Sequence, residues 1–89
     1  MNKFKIIWSL ESKNDVKKIK NNISKDKLIG ISVAPKHIIF PEQYQIDEYR
    51  KDCRRIFIGN YKILYQFEKN IVYIIRVVNS LHDPIKNIN

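Results

Sequence analysis

The spacing of apolar positions changes along the chain. Phe4, Ile6 and Trp8 alternate with Lys5 and Ile7, which predicts a first strand over residues 3–9. Val16, Ile19 and Ile23 then recur at helical spacing, while Lys13, Lys17, Lys18 and Lys20 fall elsewhere around the same helix. This predicts a basic amphipathic helix over residues 10–24, packed on the core face of a sheet. Ser12 with Asp15 three residues on would start it, and Ser9 is a competing cap. Residues 25–34 place Leu28, Ile31 and Val33 where a short second helix would need them, but Gly30 and the β-branched residues weaken it, so the sequence leaves this stretch open. Pro35 ends whatever forms there, because it disfavours the α conformation in Ala34. His37 to Phe40 read as extended, and Glu42 to Asp52 as an irregular connection with room for a short strand at 45–50.

From Arg54 onward the period is two. Ile56, Phe57 and Ile58 run into Gly59-Asn60, a pair suited to a two-residue II′ turn because Gly accepts positive φ. Tyr61, Ile63, Tyr65 and Phe67 alternate with Lys62, Leu64 and Gln66. Glu68-Lys69-Asn70 breaks the pattern, and Ile71 to Val78 is almost wholly apolar, as in a central strand. A two-residue first turn sets Ile58 opposite Tyr61, Phe57 opposite Lys62 and Arg55 opposite Leu64. A three-residue second loop sets Phe67 opposite Ile71 and Lys62 opposite Arg76. One face then holds Tyr61, Ile63, Tyr65, Phe67, Tyr73, Ile75 and Val77, and the other holds Arg55, Lys62 and Arg76 among Phe57, Leu64 and Ile74. Like charges directly opposite are destabilising, so a Lys-Arg pair there points to an anionic partner. The alternative is that both side chains reach solvent over an apolar floor. A slip of one residue dissolves the cluster.

Composition sharpens this. Eighty-nine residues suffice for one domain with a modest core, spanning 1–89. Hydrophobic content of 44% and charged content of 29% are those of a soluble domain, but a net charge of +8 favours a polyanionic target. The excess sits in the first forty residues, where Lys3, Lys5, Lys13, Lys17, Lys18, Lys20, Lys25, Lys27 and Lys36 face only Glu11, Asp15 and Asp26. No apolar run approaches the ~20 residues of a membrane span. Cys53 is the only cysteine and His37 and His82 are far apart, so neither a disulfide nor a metal site is expected. These features predict a cytoplasmic protein with no cofactor and no membrane partner.

The two glycines do not form a phosphate loop, and the acids are too few and scattered for paired-carboxylate chemistry. What remains is Arg54, Arg55, Lys62, Tyr65, Arg76 and His82. Such residues can cleave RNA without metal: cations stabilise the charged phosphorane and His or Tyr protonates the leaving oxygen. They serve equally to hold phosphates with no chemistry at all. On the cleavage reading Lys62, Arg76 and His82 would be catalytic, and Arg54, Arg55, Lys62, Tyr65 and Arg76 would bind nucleic acid or another target.

Residues from Phe40 onward resemble the C-terminal half of the RelE/ParE toxin superfamily of bacterial type II toxin–antitoxin systems. The resemblance is carried by Arg54-Arg55-Ile56, by Tyr61-Lys62-Ile63-Leu64-Tyr65, by the apolar strand through Val78, and by Asn79-Ser80-Leu81-His82-Asp83-Pro84. The strand and helix of residues 3–24 fit as well. The resemblance implies an α+β fold, with an N-terminal strand and a short helical hairpin packed on a twisted antiparallel β-sheet whose other face is open and basic. It implies growth arrest and plasmid stabilisation, either by cleaving mRNA on the ribosome, which entails RNA binding, or by poisoning DNA gyrase, with a cognate antitoxin as partner. The nucleases of the superfamily carry Arg where Lys62 stands, another Arg near Ser80-Leu81-His82, and a His where Asn79 stands. These departures lean toward the ParE-like branch or a weakened toxin. A non-catalytic basic nucleic-acid-binding module and an inactive homologue are the alternatives.

Overall fold

Ser9, not Ser12, starts the first helix of the computed structural model, which describes residues 4–82 apart from the His82 side chain. The Ser9 hydroxyl accepts from the Ser12 amide at 3.0 Å, and the Ser12 hydroxyl donates back to the Ser9 carbonyl at 2.8 Å. The helix, α1 (Leu10–Ile19), follows β1 (Lys5–Trp8) and is shorter than its apolar spacing suggests, giving way to a turn that carries Ile23 onto the core. The stretch left open by the sequence is helical: α2 (Lys25–Val33) is capped by Ser24, whose hydroxyl accepts from the Lys27 amide at 3.2 Å. Gly30 sits inside it without breaking it, and a side-chain carbon there would find room. A Cβ at Gly30 would meet Ile58 Cγ2 at 3.4 Å.

His37 closes a 3₁₀ turn instead of opening an extended segment, and a second 3₁₀ turn spans Pro41–Gln43. The short strand allowed at 45–50 reduces to one bridge between Ile46 and Arg54. Then come β2 (Arg54–Ile58), β3 (Tyr61–Glu68) and β4 (Ile71–Asn79), with a last 3₁₀ turn at Ser80–His82. The sheet order is β1-β4-β3-β2. β2, β3 and β4 form an antiparallel meander, and β1 adds in parallel along β4. The molecule is thus the expected α+β arrangement, with β4 central.

The first hairpin keeps the register read from sequence, including Phe57 opposite Lys62 and Arg55 opposite Leu64, with Gly59 at φ 58°. The second does not. Its loop is two residues, Lys69 and Asn70, at φ 51° and 66°, so Glu68 faces Ile71 and Phe67 faces Val72. A one-residue change of loop length exchanges the faces of the following strand. Val72 and Ile74 therefore enter the core in place of Tyr73 and Ile75. A bulge then restores phase: Tyr65 faces Ile74 but Leu64 faces Arg76, leaving Ile75 as the extra residue. Lys62 consequently lies opposite Val78, and the direct Lys62–Arg76 pair does not exist.

The core gathers Ile31, Ala34 and Ile38 from the helical side with Ile56, Ile63, Tyr65, Val72, Ile74 and Val77 of the sheet. Pairing of β1 stops at Trp8 opposite Ile74, which leaves the rest of β4 with an uncovered edge. Residues of α1 and its cap close it. The Ser9 amide donates to the Ile74 carbonyl at 3.0 Å, the Ser9 hydroxyl to the Ile75 carbonyl at 2.9 Å, and the Val77 amide to Asp15 Oδ2 at 2.9 Å.

Candidate functional site

The basic residues singled out from sequence divide between the two faces of the sheet. Register puts Arg54 opposite Tyr65 on the core side, and Arg55, Leu64 and Arg76 in one row on the outer side, with Lys62 two residues from Leu64 on that same side. Tyr65 is fully buried, its hydroxyl donates to the Pro41 carbonyl at 3.0 Å, and burial pushes its phenol up to about 12. Arg54 donates to the Tyr44 carbonyl at 2.7 Å. Both support the packing of residues 41–44 on the sheet. The backbone of His82 ends the last 3₁₀ turn, but its side chain, with Asp83 and the chain beyond, lies outside the described residues.

The outer face is less open than the resemblance implies. Lys62 is only 3% exposed and Leu64 likewise 3%. Over Lys62 lies the segment from Gln45 to Cys53. Asp47, 1% exposed, places Oδ1 at 2.8 Å from Lys62 Nζ, and the Tyr49 ring centroid stands 5.2 Å from the same ammonium. Asp47 Oδ2 accepts from the Tyr49 and Arg50 amides at 3.0 and 2.8 Å, and the Asp47 amide donates to the Cys53 carbonyl at 2.8 Å. Farther along, Gln66 donates to Asp52 at 3.0 Å, and Asp52 pairs with Arg50 at 3.0 Å. Cys53 is sealed beneath this strap, where burial pushes its thiol up to about 11.

Each outer-face cation thus has a resident partner. Burial works to raise the Asp47 carboxyl, yet the Lys62 hydrogen bond, the two loop amides and the Lys62 charge outweigh it, and the group is held below its ordinary value. Arg55 donates to the Ile46 carbonyl at 2.5 Å and to Gln45 at 3.2 Å, with its guanidinium 5.2 Å from the Phe57 ring. Arg76 makes a two-pronged pair with Asp15 at 2.7 and 3.0 Å, and this pairing raises its already high pKa further. Its side chain remains 43% exposed. Chemically, Arg55 and the exposed part of Arg76 can still contact an anion. Lys62 is neutralised where it stands.

Asp15, Asp47 and Tyr49 were missed by sequence reasoning. Asp15 was assigned to a helix cap, and nothing near Asp47 in sequence marks the lysine fifteen residues on as its partner. Among the described residues, no group of three His, Cys, Asp or Glu could hold a metal ion. No helix among them is long and apolar enough to cross a membrane. One further feature is a groove of about 590 Å³ between α2 and the outer edge of β2, lined by Gly30, His37, Tyr44, Arg55 and Phe57 among others.

The family model for the ParE toxin of the type II toxin–antitoxin system parDE matches residues 6–84. No curated protein matches the chain at a significant level. Among solved structures, the fold is similar to the RelBE2 toxin–antitoxin complex of Mycobacterium tuberculosis, with TM-score 0.68, 15% identity, and coverage of 89% of this chain and 93% of that one. It is similar to the chromosomal ParDE system of Pseudomonas aeruginosa, with TM-score 0.65, 13% identity, and coverage of 85% and 95%. YafQ of Escherichia coli gives TM-score 0.61 and 16% identity over 88% and 94%.

Proposed function

The chain belongs to the ParE toxin family of type II toxin–antitoxin systems, and from that premise we propose that it arrests growth by binding DNA gyrase in the cytoplasm and not by cutting mRNA on the ribosome. The observation that carries this reading is the buried Lys62–Asp47 pair. A phosphorane is stabilised by positive charge aimed at it without a competing anion. Lys62, in the middle of the outer face, already has its anion at 2.8 Å. Tyr65 cannot supply a proton there either, since it is buried on the opposite face with its hydroxyl engaged. Arg55 and Arg76 act on this reading as contacts to the target, not as catalytic groups.

A cognate antitoxin completes the proposal. Alternation along β2 points the Phe57 amide and carbonyl away from β3, beyond the point where Gln45 takes the Arg55 amide at 3.1 Å. The adjoining groove and the 53% exposed Phe57 ring offer an extended peptide both backbone pairing and an apolar contact.

Inducible expression in a bacterial host, with protein and DNA synthesis pulse-labelled separately, tests the reading. DNA synthesis is expected to fall first, with filamentation, while protein synthesis continues. A prompt fall in protein synthesis would overturn the gyrase assignment in favour of mRNA cleavage.

A further inference from the structure

Three donors converge on the Asp47 carboxylate: Lys62 Nζ at 2.8 Å from Oδ1, and the successive amides of Tyr49 and Arg50 at 3.0 and 2.8 Å from Oδ2. An ammonium together with consecutive backbone N–H groups is a donor set that proteins use to hold a phosphate. Here the anion comes from the chain itself, and the Tyr49 ring 5.2 Å from the ammonium helps to close the space. The strap around this point is fastened by bonds that do not involve the carboxylate. The Asp47 amide donates to the Cys53 carbonyl, the Cys53 amide to the Arg50 carbonyl at 2.9 Å, Arg55 to the Ile46 carbonyl, and Gln66 to Asp52.

We propose that Lys62 and residues 47–50 form a self-filled anion site, in which Asp47 is the resident ligand of a pocket whose donors suit a phosphate group. Asp47 is then the residue that decides what this face can hold: its carboxylate occupies the place a phosphate would take and shuts phosphates out of the centre of the sheet. The inference rests on the same ion pair as the proposed function, yet the two fail on different readouts, one on labelling in cells and the other on anion binding by purified variants.

Removing the carboxylate empties the pocket and takes away the anion that the Lys62 ammonium shares with the Tyr49 and Arg50 amides. Asp47→Ala should therefore bind inorganic phosphate at least about tenfold more tightly than the wild type, the order of one charge-assisted contact. Its melting temperature should rise with phosphate at constant ionic strength, because a ligand that binds only the folded state stabilises it. Asp47→Asn removes the same charge but keeps the pocket filled, and should show no such rise. Asp52→Asn controls for lost negative charge on the same strap, and Asp47→Ala with Lys62→Met removes the anchor; neither should respond.

Equal phosphate responses in Asp47→Ala and Asp47→Asn would overturn the proposal, since bulk charge would then explain both. So would stabilisation of Asp47→Ala by formate but not by phosphate, which would show the pocket to be too small. An Asp47→Ala chain that stays unfolded at every phosphate concentration overturns it equally, for phosphate would then be unable to take the carboxylate's place.

Discussion

Lys62 shows how far a single residue's role depends on what lies over it. In sequence it is a cation in an apolar strand. In the fold it is one half of an ion pair whose other half, Asp47, also holds the amides of the strap. Breaking a buried pair from one side leaves an uncompensated charge, so Lys62→Met should destabilise the protein by about 3–5 kcal/mol. Replacing both partners, Asp47→Leu with Lys62→Met, removes the orphaned charge but leaves the Tyr49 and Arg50 amides without their acceptor, so it should recover only part of that loss, and urea denaturation checks the two variants together. The acid limb carries the same information. The Asp47 carboxyl is held below its ordinary value of 3.8 in the folded state. A group depressed on folding contributes stability that is fully present above its unfolded pKa and is lost as pH falls through the lower, folded value. In Lys62→Met the lysine's contribution disappears and burial, which raises the carboxyl, has less to oppose it. Acid unfolding of the variant should accordingly begin at higher pH than in the wild type, followed by circular dichroism.

At the scale of elements, the turn between β3 and β4 matters most for where side chains point. Lys69 and Asn70 both adopt positive φ, as a two-residue I′ turn requires. Asn tolerates that region but Lys is strained there. Lys69→Asn with Asn70→Gly supplies the favoured Asn-Gly pair and should stabilise the fold by about 1 kcal/mol. Differential scanning calorimetry would then read a rise in melting temperature of about 4–8 °C. The same turn explains why the register of the second hairpin is not legible in the sequence. Asn70 reads as a turn residue, but a lysine gives no sign of positive φ, so the sequence suggests a loop that includes Glu68 and a β4 one residue out of phase. The bulge at Ile75 was invisible for a related reason: in an almost uniformly apolar strand, alternation carries no phase. α2 is legible only in part, because Gly30 and the β-branched residues count against a helix in isolation, and the burial of Ile31 against the sheet is a tertiary fact.

For the molecule as a whole, the +8 charge is distributed unevenly. Asp15 and Asp47 are spent on internal pairs with Arg76 and Lys62, so they do little to offset the lysines of the helical side. Lys13 and Lys17 of α1 and its C-cap residue Lys20 follow one stripe at spacings where like charges repel by about 0.2–0.5 kcal/mol per pair. Self-repulsion of this kind is screened by salt. Thermal stability should therefore rise with added sodium chloride, and the triple change of Lys13, Lys17 and Lys20 to Gln should flatten that rise. A triple variant with an unaltered salt response would place the repulsion elsewhere.

The sequence by itself determined the strands, the first helix, the first hairpin's register and the family, because these rest on local periodicity, on Gly59, and on an ordered set of short motifs. It also singles out Arg54, Arg55, Lys62, Tyr65 and Arg76 as basic and tyrosine positions in or beside the sheet. Only the tertiary structure decided which of them share a face, which carboxylates answer them, and that a strap closes the middle of the outer face. The physical reason is distance along the chain. A period of two reports whether neighbouring side chains alternate, but the partner of a charge is chosen by folding. Asp15 meets Arg76 and Asp47 meets Lys62 only after helix and strap have been laid against the sheet.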